Sequence, residues 1–235
     1  MAESTTTEPT TERSTEPTTS SHAAAYSAPV STRTTDPLKH RRSPGAELTE
    51  LMAACSRESV SLRELPFATH LALRAGSPAA VEALGHVLGA PLPERVGTVS
   101  SGERGPGCPV DVIWLGPDEW LAVLGDEAVT GESGRELVNA AGAALDGQRG
   151  QVVDVSANRA TLELSGPRAR AVLDKVIQLD LHPREFPVGR AVSTLLESVQ
   201  VILWRTGEDT WQVMPRASFT EFVARWLLDG MREFD

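Results

Sequence analysis

Five histidines, two cysteines and a few carboxylates near arginines are the side chains of this sequence that could do chemistry. The histidines are His22, His40, His70, His86 and His182. A helical zinc site needs two ligand histidines four residues apart, and a ribbon-type site needs Cys-x-x-Cys; neither pattern occurs. His182, in Leu179-Asp-Leu-His-Pro-Arg-Glu-Phe-Pro-Val-Gly189, reads as a turn residue between a helix and a strand because prolines flank it. Its other reading is a contact to a partner or ligand. Cys108 lies between Gly107 and Pro109 in a loop, with Arg104 as the nearby cation that could activate a thiol. A passive loop cysteine is the expectation. The run Gly102-Glu-Arg-Gly105-Pro-Gly107 lacks the spacing of a dinucleotide fingerprint and no helix signal follows it, so it reads as a loop joining two strands. Gly131-Glu-Ser133-Gly134 is not a nucleophile elbow, since no strand leads into it. Asp154 and Arg159 could orient a substrate or form a plain ion pair, and the ion pair is favoured. Asp118 and Glu119 sit where a hairpin turn is expected. No constellation assigns a reaction, so the residues support no catalytic, cofactor-binding or metal-ligating assignment.

The elements that would position such residues begin with a contrast in composition. The chain has 235 residues, with 22 basic against 32 acidic side chains and a net charge of −10. That balance argues against gripping nucleic acid through its phosphates. Two cysteines exclude a disulfide scaffold. The N-terminus has no basic start followed by an apolar run, and no stretch nears the ~20 apolar residues of a spanning helix, so no membrane role and a cytoplasmic location are expected. Residues 1–45 hold almost no large apolar side chains, only Tyr26, Val30 and Leu38 besides Met1. They are expected to be a disordered tail, because they cannot bury enough surface to offset ordering. The tail's charges cancel, five acidic (Glu3, Glu8, Glu12, Glu16, Asp36) against five basic (Arg13, Arg33, Lys39, Arg41, Arg42), so the imbalance belongs to the rest. A helix over about 46–57 follows, with Leu48, Leu51, Met52 and Cys55 on one apolar face.

Beyond it the sequence says one thing twice. Leu62 to Arg74 ends in alternation, His70, Ala72 and Arg74 against Leu71 and Leu73, the period of a half-buried strand. Gly76-Ser77-Pro78 then opens a helix carrying Val81, Leu84 and Leu88, with Ser77 suited to cap it and Gly89 to end it. Gln151 to Leu164 repeats the strand, and Gly166-Pro167 opens a helix with Ala169, Val172, Leu173 and Val176. Gly76 and Gly166 are 90 apart, as are Trp114 and Trp204, while Trp120 and Trp211 are 91 apart. Around these tryptophans lie two hairpins with polar turns. Each copy closes with a helix. The first carries Leu137, Val138, Ala141 and Leu145; the second carries the apolar stripe Phe219, Phe222, Val223, Trp226 and Leu227. The fold class expected is α+β, two pseudo-repeated β-α-β-β-α modules, with an N-terminal helix and first module over 46–148 and a second module over 149–235. The five tryptophans read as core or interface anchors. On physical grounds alone, an interaction subunit is favoured over an enzyme acting by itself.

Several of these stretches resemble the gamma subunit family of heterotetrameric sarcosine oxidase. They are Leu62-Arg-Glu-Leu-Pro-Phe with Leu71-Ala-Leu-Arg74, Gly116-Pro-Asp-Glu-Trp-Leu121, Asp154-Val-Ser with Arg159, Leu164-Ser-Gly-Pro-Arg-Ala169, Asp180-Leu-His-Pro-Arg-Glu-Phe-Pro-Val-Gly189 and Ser218-Phe with Trp226-Leu-Leu-Asp229. The resemblance runs from about residue 36 onward. It implies a fold like the folate-binding fold of the glycine-cleavage aminomethyltransferase. It implies a cofactor-free accessory chain working with alpha, beta and delta subunits, in a complex that demethylates sarcosine to glycine, hydrogen peroxide and either formaldehyde or methylene-tetrahydrofolate. FAD, FMN, NAD and zinc would lie in the partner subunits, and no catalytic residue carries over to this chain. The competing readings are a free-standing folate-binding or one-carbon-transfer protein, and a scaffold subunit of a related demethylase complex.

Overall fold

The computed structural model describes residues 37–234, together with Met1. The chain divides into two units, Met1–Lys39 and His40–Asp235, and the architecture below is that of the second. Most of the expected tail, residues 2–36, lies outside the described residues. Its last residues are held. Ser43 Oγ and the Gly45 N–H both donate to the Glu64 carboxylate, at 2.5 and 2.9 Å. Arg41 pairs with Asp126 at 2.9 Å and lies 4.4 Å over the Phe67 ring. Ordered contacts are therefore already in place at Arg41, inside the expected 1–45 tail, because two carboxylates and an aromatic face supply the partners that this polar stretch lacks in itself.

A 3-10 turn, Ala46–Leu48, leads into α1, Thr49–Cys55, and Leu48 and Met52 point into the core. Two strands follow, β1 at Ser61–Glu64 and β2 at Ala68–Ala75. Next come α2 at Pro78–Leu88, β3 at Val99–Glu103, β4 at Pro109–Gly116 and β5 at Glu119–Asp126. A short α3, Glu127–Thr130, precedes α4, Gly134–Leu145. The second copy runs β6 at Gly150–Asp154, β7 at Leu162–Ser165, α5 at Ala169–Leu173, β8 at Ala191–Leu196, β9 at Val199–Arg205, β10 at Thr210–Pro215 and α6 at Thr220–Met231. Each copy thus reads β-β-α-β-β-β-α, with the short α3 added before the last helix of the first copy, two strands more than expected. Pro66 and the left-handed Phe67 (φ 63°) break the single opening strand into β1 and β2. The polar run Val-Ser-Ser-Gly-Glu of β3 has no apolar alternation to announce it.

The caps of α2 are those its sequence predicts. Ser77 Oγ accepts from the Ala80 N–H at 3.2 Å, Pro78 takes the first turn, and Gly89 closes the helix at φ +70°. Helix α5 is shorter than expected and ends at Leu173, though Val176 beyond it is still buried.

Both sheets are five-stranded and antiparallel, with orders β1-β7-β10-β9-β8 and β3-β4-β5-β2-β6. Written from the other edge, the second order is β6-β2-β5-β4-β3, the same order with each copy's first strand traded for the other's. β1 pairs Leu62 with Leu164 of β7, and β6 pairs Val152 with Leu73 of β2. The division expected between residues 148 and 149 is therefore crossed in both directions.

Helices cover one face of each sheet. Leu71, Leu73, Trp120 and Ala122 pack with Leu84, Leu88, Leu137 and Ala141 of α2 and α4. Leu162, Leu164, Trp211 and Val213 pack with α1, α5 and α6. The other faces meet each other through Ile113, Leu121, Ala191, Ile202, Trp204 and Met214. The layers are helix, sheet, sheet, helix. The central strands are covered on both sides, which is why Val112-Ile-Trp-Leu and Val201-Ile-Leu-Trp read as continuous apolar runs.

This two-sided burial also resolves the tryptophan pairs. Trp120 and Trp211 are equivalent, facing Leu73 and Leu164 across matching ladders. Trp114 and Trp204 are not. Trp114 pairs with Trp120, while the residue facing Trp211 is Arg205. One step of register puts Trp204 on the inter-sheet face and Trp114 on the helix side.

Arg205 is 5 % exposed and its guanidinium lies 5.2 Å from the Trp211 ring. It donates to the carbonyls of Phe186, Gly207 and Glu208, at 2.8, 3.3 and 2.6 Å. A lysine has no planar fork to reach three carbonyls at once. Arg205→Lys should cost about 2 kcal/mol in a urea melt, from hydrogen bonds to a charged donor lost in a buried setting; an unchanged midpoint would show the fork to be dispensable.

Candidate functional site

The residues singled out by type and spacing are brought together in one place and scattered everywhere else. The segment 154–159 is the crossover that carries the chain from β6 in one sheet to β7 in the other. Asp154 Oδ1 accepts from the Ser156 N–H and Oγ at 2.9 and 2.6 Å. Ser156 Oγ in turn accepts from the His70 N–H at 3.0 Å, and the His70 carbonyl accepts from the Val155 N–H at 2.8 Å. The turn is thereby clasped to β2. Arg159 forms an antiparallel bridge with Arg216 and donates to the Met214 carbonyl at 3.2 Å. Asp154 and Arg159 do not pair with each other; both are spent on backbone that joins the sheets, so the favoured ion pair is absent from this site.

His70 is the residue that sequence reasoning missed. Alternation placed it on the open face of a half-buried strand, yet it is 1 % exposed because the second sheet covers that face. Both ring nitrogens are buried without a hydrogen-bond partner. Burial, reinforced by the Arg159 charge and opposed by Asp154, lowers its pKa from 6.5 to about 4. The guanidinium of Arg159 is also pushed down, by burial and by Arg216, against Glu119. The neighbouring Ala72 and the apolar runs of the adjacent strands were the available signal that both faces are covered. Thr161, the residue before β7, is buried with its Oγ1 also unpartnered, and it sits 91 residues after His70, the offset of the equivalent ladders. The His70 imidazole is thus held neutral between the two sheets, on the strand to which the crossover turn is clasped.

The remaining candidates lie apart. His182 is exposed in a turn, its N–H donating to Asp180 at 2.8 Å and its Nδ1 accepting from the Arg184 N–H at 3.3 Å. Arg104 is committed to Glu132 at 2.9 Å and to the Val87 carbonyl, not to the Cys108 thiol. The run Gly102–Gly107 ends β3 and turns toward β4. Asp118 and Glu119 turn the β4–β5 hairpin and pair with Arg74 at 3.4 and 2.9 Å. Ser133 precedes α4 and makes no cap hydrogen bond. Among the described residues, no three His, Cys, Asp or Glu side chains are placed to hold a metal, and no helix is long and apolar enough to cross a membrane.

Open depressions among the described residues include two on the helix-covered sides. One, of about 1050 Å³, runs beside α2 and includes Pro78, Pro91, Pro117, Trp120 and Arg149. The other, of about 520 Å³, lies between α1 and α6. The stripe read on α6 divides there. Val223 and Leu227 are buried, whereas Phe219, Phe222 and Trp226 are turned outward.

The model of the family described as sarcosine oxidase, gamma subunit, matches residues 73–233. The sarcosine oxidase subunit gamma of an Arthrobacter species is 50 % identical over 197 residues, 83 % of this chain and 91 % of that one. That of Corynebacterium sp. strain P-1 is 48 % identical over the same length, again covering 83 % and 91 %. Among solved structures, a chain of the heterotetrameric sarcosine oxidase from Corynebacterium sp. U-96, in complex with pyrrole 2-carboxylate, superposes with a TM-score of 0.73. It is 44 % identical, with 83 % of this chain and 96 % of that chain covered. The glycine cleavage system aminomethyltransferase T from Bartonella henselae matches with a TM-score of 0.57 at 18 % identity, over 79 % of this chain and 56 % of that one, a likeness of fold.

Proposed function

The chain belongs to the sarcosine oxidase gamma subunit family, and we propose from this premise that it is the accessory subunit of a heterotetrameric sarcosine oxidase. The observation that carries the reading is near-half identity to gamma subunits along almost their whole length. In this reading the partners are the alpha, beta and delta subunits. They hold FAD, FMN, NAD and zinc and carry out the oxidative demethylation of sarcosine, in the cytoplasm. This chain contributes no reacting group. Its two-sheet body presents exposed apolar side chains on strands, loops and helices, and among the described residues the most exposed aromatic ones, Phe219, Phe222 and Trp226, lie on α6 and in the turn before it. An assembly role fits that distribution, since subunit contacts draw on exposed aromatic and aliphatic side chains.

The test is co-purification of the tagged full chain from its native host. Flavin absorbance and sarcosine-dependent hydrogen peroxide should travel with it through size exclusion. A chain that elutes alone while the peroxide-forming activity runs elsewhere would remove the proposal. So would an isolated chain that binds tetrahydrofolate tightly by calorimetry and passes its one-carbon unit on without partners.

A further inference from the structure

Helix α6 has a second apolar face that the chain itself does not use. Phe222 and Trp226 are 39 % and 38 % exposed, and Phe219 in the turn before the helix is 44 % exposed, while Val223, Leu227 and Met231 fill the core on the other side. The Phe222 and Trp226 rings meet edge to face, 6.2 Å between centroids. Leu51 on α1, 40 % exposed, faces the same groove of about 520 Å³. The groove's charged rim is neutralised from within, because Arg225 pairs with Glu221 at 2.8 Å and Arg232 with Asp229 at 3.1 Å. An occupant therefore meets an apolar floor and a rim that asks for no countercharge. The chain's own N-terminal stretch is poorly suited to fill it, since residues 1–36 offer only Met1, Tyr26 and Val30 as large apolar side chains.

We propose that the α1–α6 groove is the face through which the chain docks on a partner subunit of its oxidase, receiving an uncharged, apolar segment against Trp226. This rests on the reading of the chain as an oxidase subunit. Trp226 is the anchor: a rigid, amphipathic ring that loses little conformational freedom on being covered. Leu51 and Phe222 exclude water around it, and the self-paired rim lets the groove desolvate without stranding a charge.

The test co-expresses the full chain with the other subunits of its complex and measures how much of it co-elutes with them. Trp226→Glu and Leu51→Lys, on different helices, should each weaken association about tenfold or more. Val129→Lys, on α3 at a residue 84 % exposed and outside the groove, should leave it unchanged. Melting curves of the isolated variants check folding, and if Trp226→Glu melts low, Leu51→Lys alone decides. Both groove variants co-eluting like the unaltered chain would overturn the docking face while leaving the subunit reading intact. If the unaltered chain itself fails to co-elute, the subunit reading falls and the proposal with it. An isolated chain that sediments as a dimer, and becomes monomeric on Trp226→Glu, would assign the groove to a second copy and so overturn the proposal.

Discussion

Replacing Trp211 with alanine should destabilise the chain by about 3–5 kcal/mol, the cost of an unfilled aromatic cavity in a packed core. Trp211 is fully buried at the centre of the β1-β7-β10-β9-β8 sheet. Its ring lies 5.2 Å from that of Phe186 and carries the Arg205 guanidinium on its face. Alanine would remove the contact area, the aromatic pair and the seat of a buried cation together. For a body of this size that corresponds to a melting point lower by roughly 10 °C. Trp211→Phe gives the informative contrast. The indole Nε1 is buried with no acceptor, so phenylalanine loses volume but also removes an unsatisfied donor. Urea midpoints should therefore fall in the order native, Phe, Ala, with the larger step between Phe and Ala. A Phe variant as unstable as the Ala variant would contradict this account of the site.

Acid should weaken the joint between the sheets through His70. Its pKa is 6.5 when unfolded and about 4 when folded, lowered first by burial and then by Arg159. Between those values the unfolded chain binds a proton that the folded chain refuses. The stability is complete above pH 6.5 and is lost as the pH falls toward 4. The full window is worth about 3 kcal/mol, at 1.36 kcal/mol per unit. His70→Leu should remove this component, giving a flatter profile in urea melts at pH 4.5, 5.5 and 7.5. It should also be no less stable than the native chain at pH 7.5, because two unpartnered ring nitrogens disappear. Parallel profiles for the two proteins would show that other groups govern the acid sensitivity.

The repeat was legible because its punctuation is chemical. Gly76 and Gly166 each lie between a strand and the helix that follows it, Ser77 and Pro78 start a helix by local rules, and Trp120 and Trp211 hold matched places in the two ladders. What depended on the partner surface was not legible. Nothing in Ser-Leu-Arg-Glu says that β1 leaves its own copy for β7, since a four-residue strand encodes an apolar face and not the identity of its neighbour. His70 looked open because alternation records which residues share a face, not whether a second sheet covers it. Trp204 matched Trp114 in number but not in register, and one residue decides the face of a strand. The α6 stripe was read as one surface although the core needs only part of it. Phe222 and Trp226 belong to whatever lies outside.

The traded strands also set an order of events during synthesis. β1 leaves the ribosome well before its partner strand, and Leu62 must wait for Leu164, roughly a hundred residues later. At about 5–20 residues per second that is some 5–20 s with a strand lacking its neighbour. The sheet built on β2, β4 and β5 meanwhile keeps the side of β2 bare until Gly150–Asp154 has been made. The sheet made before residue 150 is thus a template with an open edge, closed by the strand made next. A nascent chain stalled before residue 150 should be the species most prone to capture by chaperones or to pairing with a neighbouring nascent chain.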